Sequence, residues 1–324
     1  MTDISKKAQS ALAPEHKHGF FRTLGKQWQL ALMSVPMLLY VLLFNYAPMW
    51  GWINAFLDYT NKKNIAKGIT PYIGLENFKW LFGRADFWQS MRNTLAMSVI
   101  NLVFGTVSAI LLAVLLNEVR NRSFKRTVQT VTYLPHFLSM VIVVGMAKII
   151  FDSNERTPGP LNSLLLASGL LQEGPDWLGQ PQYFWWLVGV INVWKEVGWG
   201  TIIYISAMTA IDPCLYEAAS IDGAGRFQRI LHVTLPGIKS TFVILLIMNI
   251  GHLMEAGFEI QYLLGNSLVV DWSETIDIFV LKYGISKQQY GVATAAGMFK
   301  SIVAIILLMV ANFTAKKLDE DTLI

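Results

Sequence analysis

Two sets of polar side chains interrupt stretches that are otherwise apolar: Asn192, Lys195, Glu196 and Trp199, and then Asn249, His252, Glu255 and Glu259. Spacings of three, four and seven in the first set, and of three, six and ten in the second, put each on one face of a helix. Such faces can hydrogen-bond a hydroxyl-rich solute, relay protons, or simply bond one another and hold helices together. Both stripes flank the same polar loop, which points to a shared aqueous path. The metal and hydrolase chemistries lack their signatures. No His-Glu-x-x-His pair occurs among the five scattered histidines, so His252 reads as a channel-lining or hydrogen-bonded core residue. No Gly-x4-Gly-Lys-Ser/Thr phosphate loop occurs either, so the chain is not an ATPase by that route, and neither catalytic nor metal residues are assigned.

The loop between the stripes, residues 211–239, is bracketed by Pro213 and Pro236, placed where proline ends or begins a helix cheaply. Leu215 to Ile221 suits one short helix. Asp222 can cap a second helix whose Phe227, Ile230 and Leu231 form an apolar edge, and Gly223 supplies the corner between them. Ala218 and Ala219 carry almost no bulk, so the first helix can enter a narrow cleft on a partner. The loop has the character of a lever tied to both polar-striped helices.

What must position these residues is a membrane protein. Apolar residues make up 53% and charged residues 15% of the 324, against roughly 45–50% and about 25% in ordinary globular chains. Stretches able to supply the roughly 20 apolar residues of a spanning helix lie near 29–55, 93–117, 128–151, 184–210, 240–264 and 292–315. Six spans are the expectation, the fifth being interrupted by His252, Glu255 and Glu259. With the N-terminus in the cytoplasm, inside segments carry fourteen Lys and Arg and outside segments nine. That places both termini and the 211–239 loop inside. Phe20, Phe21, Leu24 and Trp28 are expected along the inner interface. The single cysteine, Cys214, excludes an internal disulfide and reads as a buried or inert thiol. Trp185, Trp186 and Trp272 read as interfacial residues. The net charge of +4 needs no nucleic-acid partner.

The expected organisation is a cytoplasmic segment over 1–28, a first span and outer loop over 29–92, a transmembrane domain over 93–315 and a cytoplasmic tail over 316–324. The outer part of 56–92 is apolar enough to pack on helix ends, and 152–183, with Pro158, Pro160, Pro175 and Pro181, reads as irregular.

Glu217-Ala218-Ala219, three residues, Gly223, nine residues, Val233, one residue and Leu235-Pro236 resembles the EAA motif of membrane subunits of type I ABC importers, with Val233 in place of the usual isoleucine. The resemblance implies an all-α integral membrane protein with six transmembrane helices. It further implies that the loop is a coupling helix seated in a cleft of an ATPase subunit, with Glu217, Ala218, Ala219, Asp222, Gly223 and Pro236 carrying the coupling. Tyr133-Leu134-Pro135-His136-Phe137-Leu138, Gly159-Pro160-Leu161-Asn162, Trp194-Lys195-Glu196-Val197-Gly198-Trp199, Ile211-Asp212-Pro213, Gly257-Phe258-Glu259 and the segment Ala295 to Ser301 are similar to the branch carrying oligosaccharides and polysaccharide fragments. Within that branch the chain looks like the first permease subunits of alginate importers, from about residue 30 to 313.

In related maltose-type permeases, sugar contacts lie just before and just after the EAA loop. That points to Glu196 and Trp199 on one side, and to Asn249 and Leu253 on the other. The expected pathway set is therefore Asn192, Lys195, Glu196, Trp199, Asn249, His252, Leu253, Glu255 and Glu259. Lys195, and after it Lys300, are the expected counter-charges for an acidic sugar, since burying carboxylates unpaired is costly. The resemblance implies a second homologous permease subunit, an ATPase dimer on the cytoplasmic side that binds ATP and Mg, and an extracytoplasmic solute-binding protein, with no cofactor in this chain. The alternative is an ion-coupled secondary carrier using Lys195, Glu255 and Glu259; a self-sufficient carrier has no need of a docking lever.

Overall fold

Apolar stretches of this length fold as helices because a bilayer core offers the backbone no partner other than itself. The computed structural model describes residues 28–59, 68, 70–154 and 156–318. The N-terminal segment with Phe20, Phe21 and Leu24, the residues Lys62, Lys63 and Lys67, and the end of the tail lie outside the described residues. The chain divides into two compact units at Ile53 and Asn54.

In the first unit, α1 (Trp28–Val41) runs through Pro36 into a π-helical turn (Leu42–Tyr46) and then a 3-10 stretch that starts at Ala47. Its large side chains are exposed, Met33 and Trp50 among the most so.

The second unit holds the helices that build and flank the polar-striped region. They are α2 (Ala85–Glu118), α3 (Arg122–Tyr133), α4 (Met140–Ile150), α5 (Pro181–Thr209), α6 (Pro213–Ile221), α7 (Arg226–Arg229), α8 (Lys239–Gly251), α9 (Glu259–Leu264) and α10 (Tyr290–Lys317). Among the described residues the only extended pairing is one isolated bridge between Leu57 and Tyr72.

Three helical segments, Trp28–Phe56, α2 and α10, are by themselves long and apolar enough to cross a membrane, and two bent pairs raise the number to five. α5 is long enough at 29 residues. Asn192, Lys195, Glu196 and Gln182 keep it out of the purely apolar class.

Two expected spans are not single helices. The third breaks between Arg122–Phe137 and α4 with a bend of 104°. Pro135 lacks an N–H to continue the ladder, and the Ser139 hydroxyl starts α4 by accepting from Ile142 N. The fifth ends at Gly251; residues 252–258 leave the helix, Gly257 adopts φ +88°, and α9 begins at Glu259. The supposedly irregular 152–183 segment contains a helix, Pro160–Ala167. It is stapled by buried Asn162, which donates to Asp152 O and Pro175 O and accepts from Trp177 Nε1 at 2.8 Å.

α2 and α5 pack closely because small residues let their backbones approach. A Cβ on Gly189 would meet Ile100, a Cβ on Gly200 would meet Ala109, and Thr201 Oγ1 donates to Ala109 O at 3.2 Å. One core cluster joins Phe87 and Met91 to Phe279, Tyr283 and Ala293. A second joins Met97 to Val143, Val188, Ile191 and Ile260, and a third joins Ala109 to Tyr204 and Ile238. Leucine and isoleucine are left outward on the remaining faces, for example Leu111 and Leu115 on α2 and Ile305 and Met309 on α10. That is the surface of a chain meant for lipid or apolar partners.

Asn77, on the helix Glu76–Phe82, donates to Ala55 O and Leu57 O, and Phe82 meets Phe87 and Phe299, so the 70–84 segment does pack on helix ends. Trp185 and Trp272 form a packed pair, with Trp185 Nε1 bonded to Trp272 O and Arg92 over both rings.

Candidate functional site

α2, α5 and the chain from Leu245 to Ile260 enclose a cavity of about 710 Å³. Asn192, Glu196, Trp199, Asn249, His252, Leu253, Glu255 and Glu259 all line it. The first three come from unbroken helix, as their spacing required. The others do not share one helical face: Asn249 lies in the last turn of α8, His252, Leu253 and Glu255 lie in the break, and Glu259 opens α9. The break itself turns them toward the cavity, so the residues expected on one i, i+3, i+6, i+10 stripe meet at the cavity for a different geometric reason. At its start His252 Nδ1 sits 2.8 Å from Met248 O.

Lys195 does not line the cavity. It is buried, and its ammonium donates to His136 O at 2.8 Å and to Glu196 Oε1 at 3.2 Å. A flexible four-carbon stem lets an ammonium leave its helix face for a nearby carbonyl, and in a low dielectric that carbonyl is a strong attractor. Lys300 is likewise committed, 2.6 Å from Asp277 Oδ1. The two lysines expected as counter-charges are thus held by protein partners. Among the described residues the charged groups that line the cavity are Glu196, Glu255 and Glu259, and no Lys or Arg joins them.

His136 completes this wall. The proline break places its ring flat on Trp199, with centroids 4.6 Å apart and planes 6° from parallel, and its Nδ1 lies 2.7 Å from Glu196 Oε2. Trp199 and Glu196 are therefore fixed from behind while their free edges face the lumen. Gly198 makes room, since a Cβ there would run into the backbone of Thr132.

In the loop, α6 starts as its sequence dictates, with Pro213 at its first position and Asp212 accepting from Cys214 N at 2.9 Å. Gly223 makes the corner at φ +80°, with open space around it. Asp222 does not cap the second helix; it terminates α6, and α7 starts at Gly225, whose N–H is bonded by the Gln228 side chain at 2.7 Å. The corner takes Gly223 and Ala224 before the chain can turn again, which moves the helix start three residues on. Tyr216 OH and Thr234 Oγ1 tie the two arms at 3.0 Å. Glu217 and Ala218 are exposed, Ala219 is half-buried, and Pro236 is exposed. Ile221 and Phe227, both 87% exposed, project from the loop. Cys214 is exposed there too, which removes the buried alternative from the expectation of a buried or inert thiol.

A family model described as "Binding-protein-dependent transport system inner membrane component" matches residues 102–320. The chain belongs to this family. It is 43% identical over 296 residues to the polygalacturonan/rhamnogalacturonan transport system permease protein YteP of Bacillus subtilis (strain 168), covering 91% of this chain and 90% of that one. It is 41% identical over 294 residues to protein LplB of the same organism, with the same coverage. A solved bacterial alginate ABC transporter, in complex with an alginate pentasaccharide-bound periplasmic protein, contains a chain that is 34% identical. The TM-score is 0.84, and the match covers 94% of this chain and 100% of that one. The protein is accordingly a permease subunit of a sugar ABC transporter, with the all-α type I permease fold and a transport role rather than an enzymatic one. Its place is the inner membrane, which it crosses more than once.

Three residues of the site were not singled out from sequence. Ser98 and Asn101 line the cavity from α2, and His136 backs Trp199. The signal existed, because each is a polar residue inside or beside an apolar span, the same criterion that selected the stripes of α5 and 249–259.

Proposed function

We propose that this chain forms one wall of the translocation path of an ATP-driven importer of oligosaccharides, with acidic oligosaccharides as its substrate class. The observation that carries the reading is the convergence of eight residues, from both sides of the 211–239 loop, on one cavity. Amide, carboxylate and imidazole groups around Trp199 suit a solute rich in hydroxyls with an apolar ring face. Kinship with permeases named for polygalacturonan and alginate transport supports uronate oligomers. Since the lining holds three carboxylates and no Lys or Arg among the described residues, the fixed counter-charge for a uronate is assigned to the second permease subunit.

In this reading two ATPase subunits bind ATP and Mg on the cytoplasmic side, where both termini also lie. A solute-binding protein delivers the sugar from outside. Glu217, Ala218, Ala219, Asp222, Gly223 and Pro236 form the element that the ATPase moves, and the exposed Ile221 and Phe227 give it an apolar edge for docking.

The test is to purify the whole complex, reconstitute it, and measure ATP hydrolysis stimulated by binding protein loaded with a galacturonate oligomer or with a neutral oligomer of equal length. Stimulation by the galacturonate oligomer supports the acidic class; stimulation by the neutral one alone overturns it. Gly223→Leu, which forces a side chain onto φ +80°, should uncouple hydrolysis from uptake while the protein still inserts. Uptake at the wild-type rate would remove the loop from the mechanism.

A further inference from the structure

α2 carries polar side chains along much of its length, and they fall into two groups. Away from the cavity every buried one among Ser90, Asn93 and Thr94 is satisfied: Ser90 donates to Asp86 O, Asn93 to Asp271 O and Glu274 O, and Thr94 to Ser90 O while accepting from Ile276 N. At the cavity the pattern reverses. Ser98 and Asn101 both line it, and Ser98 Oγ and Asn101 Oδ1 are buried with no hydrogen-bond partner among the described residues. One turn further on, Gly105 also lines the cavity, and a Cβ there would meet nothing within 4 Å.

A buried hydroxyl or amide without a partner destabilises the fold, whereas an apolar group of the same shape would not. A helix that satisfies its other buried polar groups, yet leaves these two open where it borders the lumen, keeps hydrogen-bonding capacity for something that enters. We infer that Ser98 and Asn101 are solute-binding residues, forming a third wall of the site beside the helix that carries Glu196 and Trp199 and hydrogen-bonding sugar hydroxyls during passage. Side-chain rotation presents the groups, and the open space at Gly105 admits the ring beside them. Neither residue carries charge, so this wall reads hydroxyl pattern and leaves carboxylates to other parts of the path. The inference rests on the oligosaccharide reading above.

The experiment compares Ser98→Ala, the double variant Ser98→Ala with Asn101→Leu, and Trp199→Ala in the reconstituted complex. Uptake of a galacturonate oligomer and of a neutral oligomer is measured at saturating loaded binding protein. For the double variant, uptake of both probes per assembled complex should fall about tenfold, the scale of one or two lost hydrogen bonds, with the Tm of the complex unchanged or raised. Ser98→Ala alone should show a smaller fall in the same direction, and it decides the matter if the double variant does not assemble. Wild-type uptake by these variants, with Trp199→Ala impaired, overturns the inference and leaves the proposed function standing. A Tm that falls along with uptake also overturns it, because the groups would then be structural. Wild-type uptake by Trp199→Ala as well would mean that the cavity is not the route, and the proposed function would fail with it.

Discussion

The two polar segments that face each other across the cavity were written alike in sequence and are built differently. From Asn192 to Trp199 the backbone is one uninterrupted helix, packed on α2 and on the end of α3, and its polar residues are braced from behind by His136. From Asn249 to Glu259 the helix stops, seven residues run without it, and a second short helix begins. A spacing of three or four is necessary for a shared helical face but does not establish one. In the second segment Gly251 and Gly257 flank the polar residues, and glycine weakens helix while permitting the φ of +88° that Gly257 adopts. One wall is therefore a plate of continuous helix and the other a bent ribbon.

The contrast is most easily broken at the plate. Gly198→Val would push a branched side chain into the backbone of Thr132, which side-chain rotation cannot relieve. A loss of about 3 kcal/mol or more, at or beyond the upper end for overpacking, should appear as failed assembly or a large drop in Tm in detergent. A variant with wild-type Tm would show that α3 and α5 are not locked together.

Next in size is Lys195→Met. If the ammonium serves His136 O and Glu196 rather than the solute, its removal leaves a buried carbonyl without its partner and should destabilise the plate by about 1–3 kcal/mol. Uptake of acidic and neutral oligomers should then decline together. A selective loss of acidic uptake would return Lys195 to the lumen.

On the ribbon the expected effect is smaller. Gly257→Ala places a Cβ at φ +88° and should destabilise by about 1–2 kcal/mol, visible as a modest Tm shift. An unchanged or raised Tm would mean that the break is not held in that conformation.

The last prediction involves little stability and sharpens the comparison by pattern. Because Cys214 is exposed, it is first replaced with Ala. Single cysteines at 192, 196 and 199 should then react with a small water-soluble thiol reagent while 188 and 191, buried in the core of the same helix, do not. Between 252 and 259 the reactive positions should follow no helical period. A clean period of 3.6 through 249–259 would restore the continuous helix.

What the sequence by itself determined was everything governed by local chemistry. Apolar stretches with few charges had to be helices, Asp212-Pro213 had to start one, and Gly223 had to be a corner, since each depends on neighbours within a turn or two. Of the nine pathway residues named from the sequence eight line the cavity; Leu253 was named through the family resemblance, and the other seven through their place in polar stripes, because polar side chains inside apolar spans need a wet face wherever the backbone takes them. Tertiary structure decided where competing partners settled. Lys195 had a helix-face position toward the lumen, and a carbonyl exposed by the break at Pro135, 59 residues away in sequence, drew it aside. His136 found Trp199, and Lys300 found Asp277. Ser98 Oγ and Asn101 Oδ1 found no partner among the described residues, a fact that only the packed arrangement of α2, α5 and the 245–260 chain could reveal, because whether a buried polar group is satisfied depends on distant atoms that no local pattern specifies.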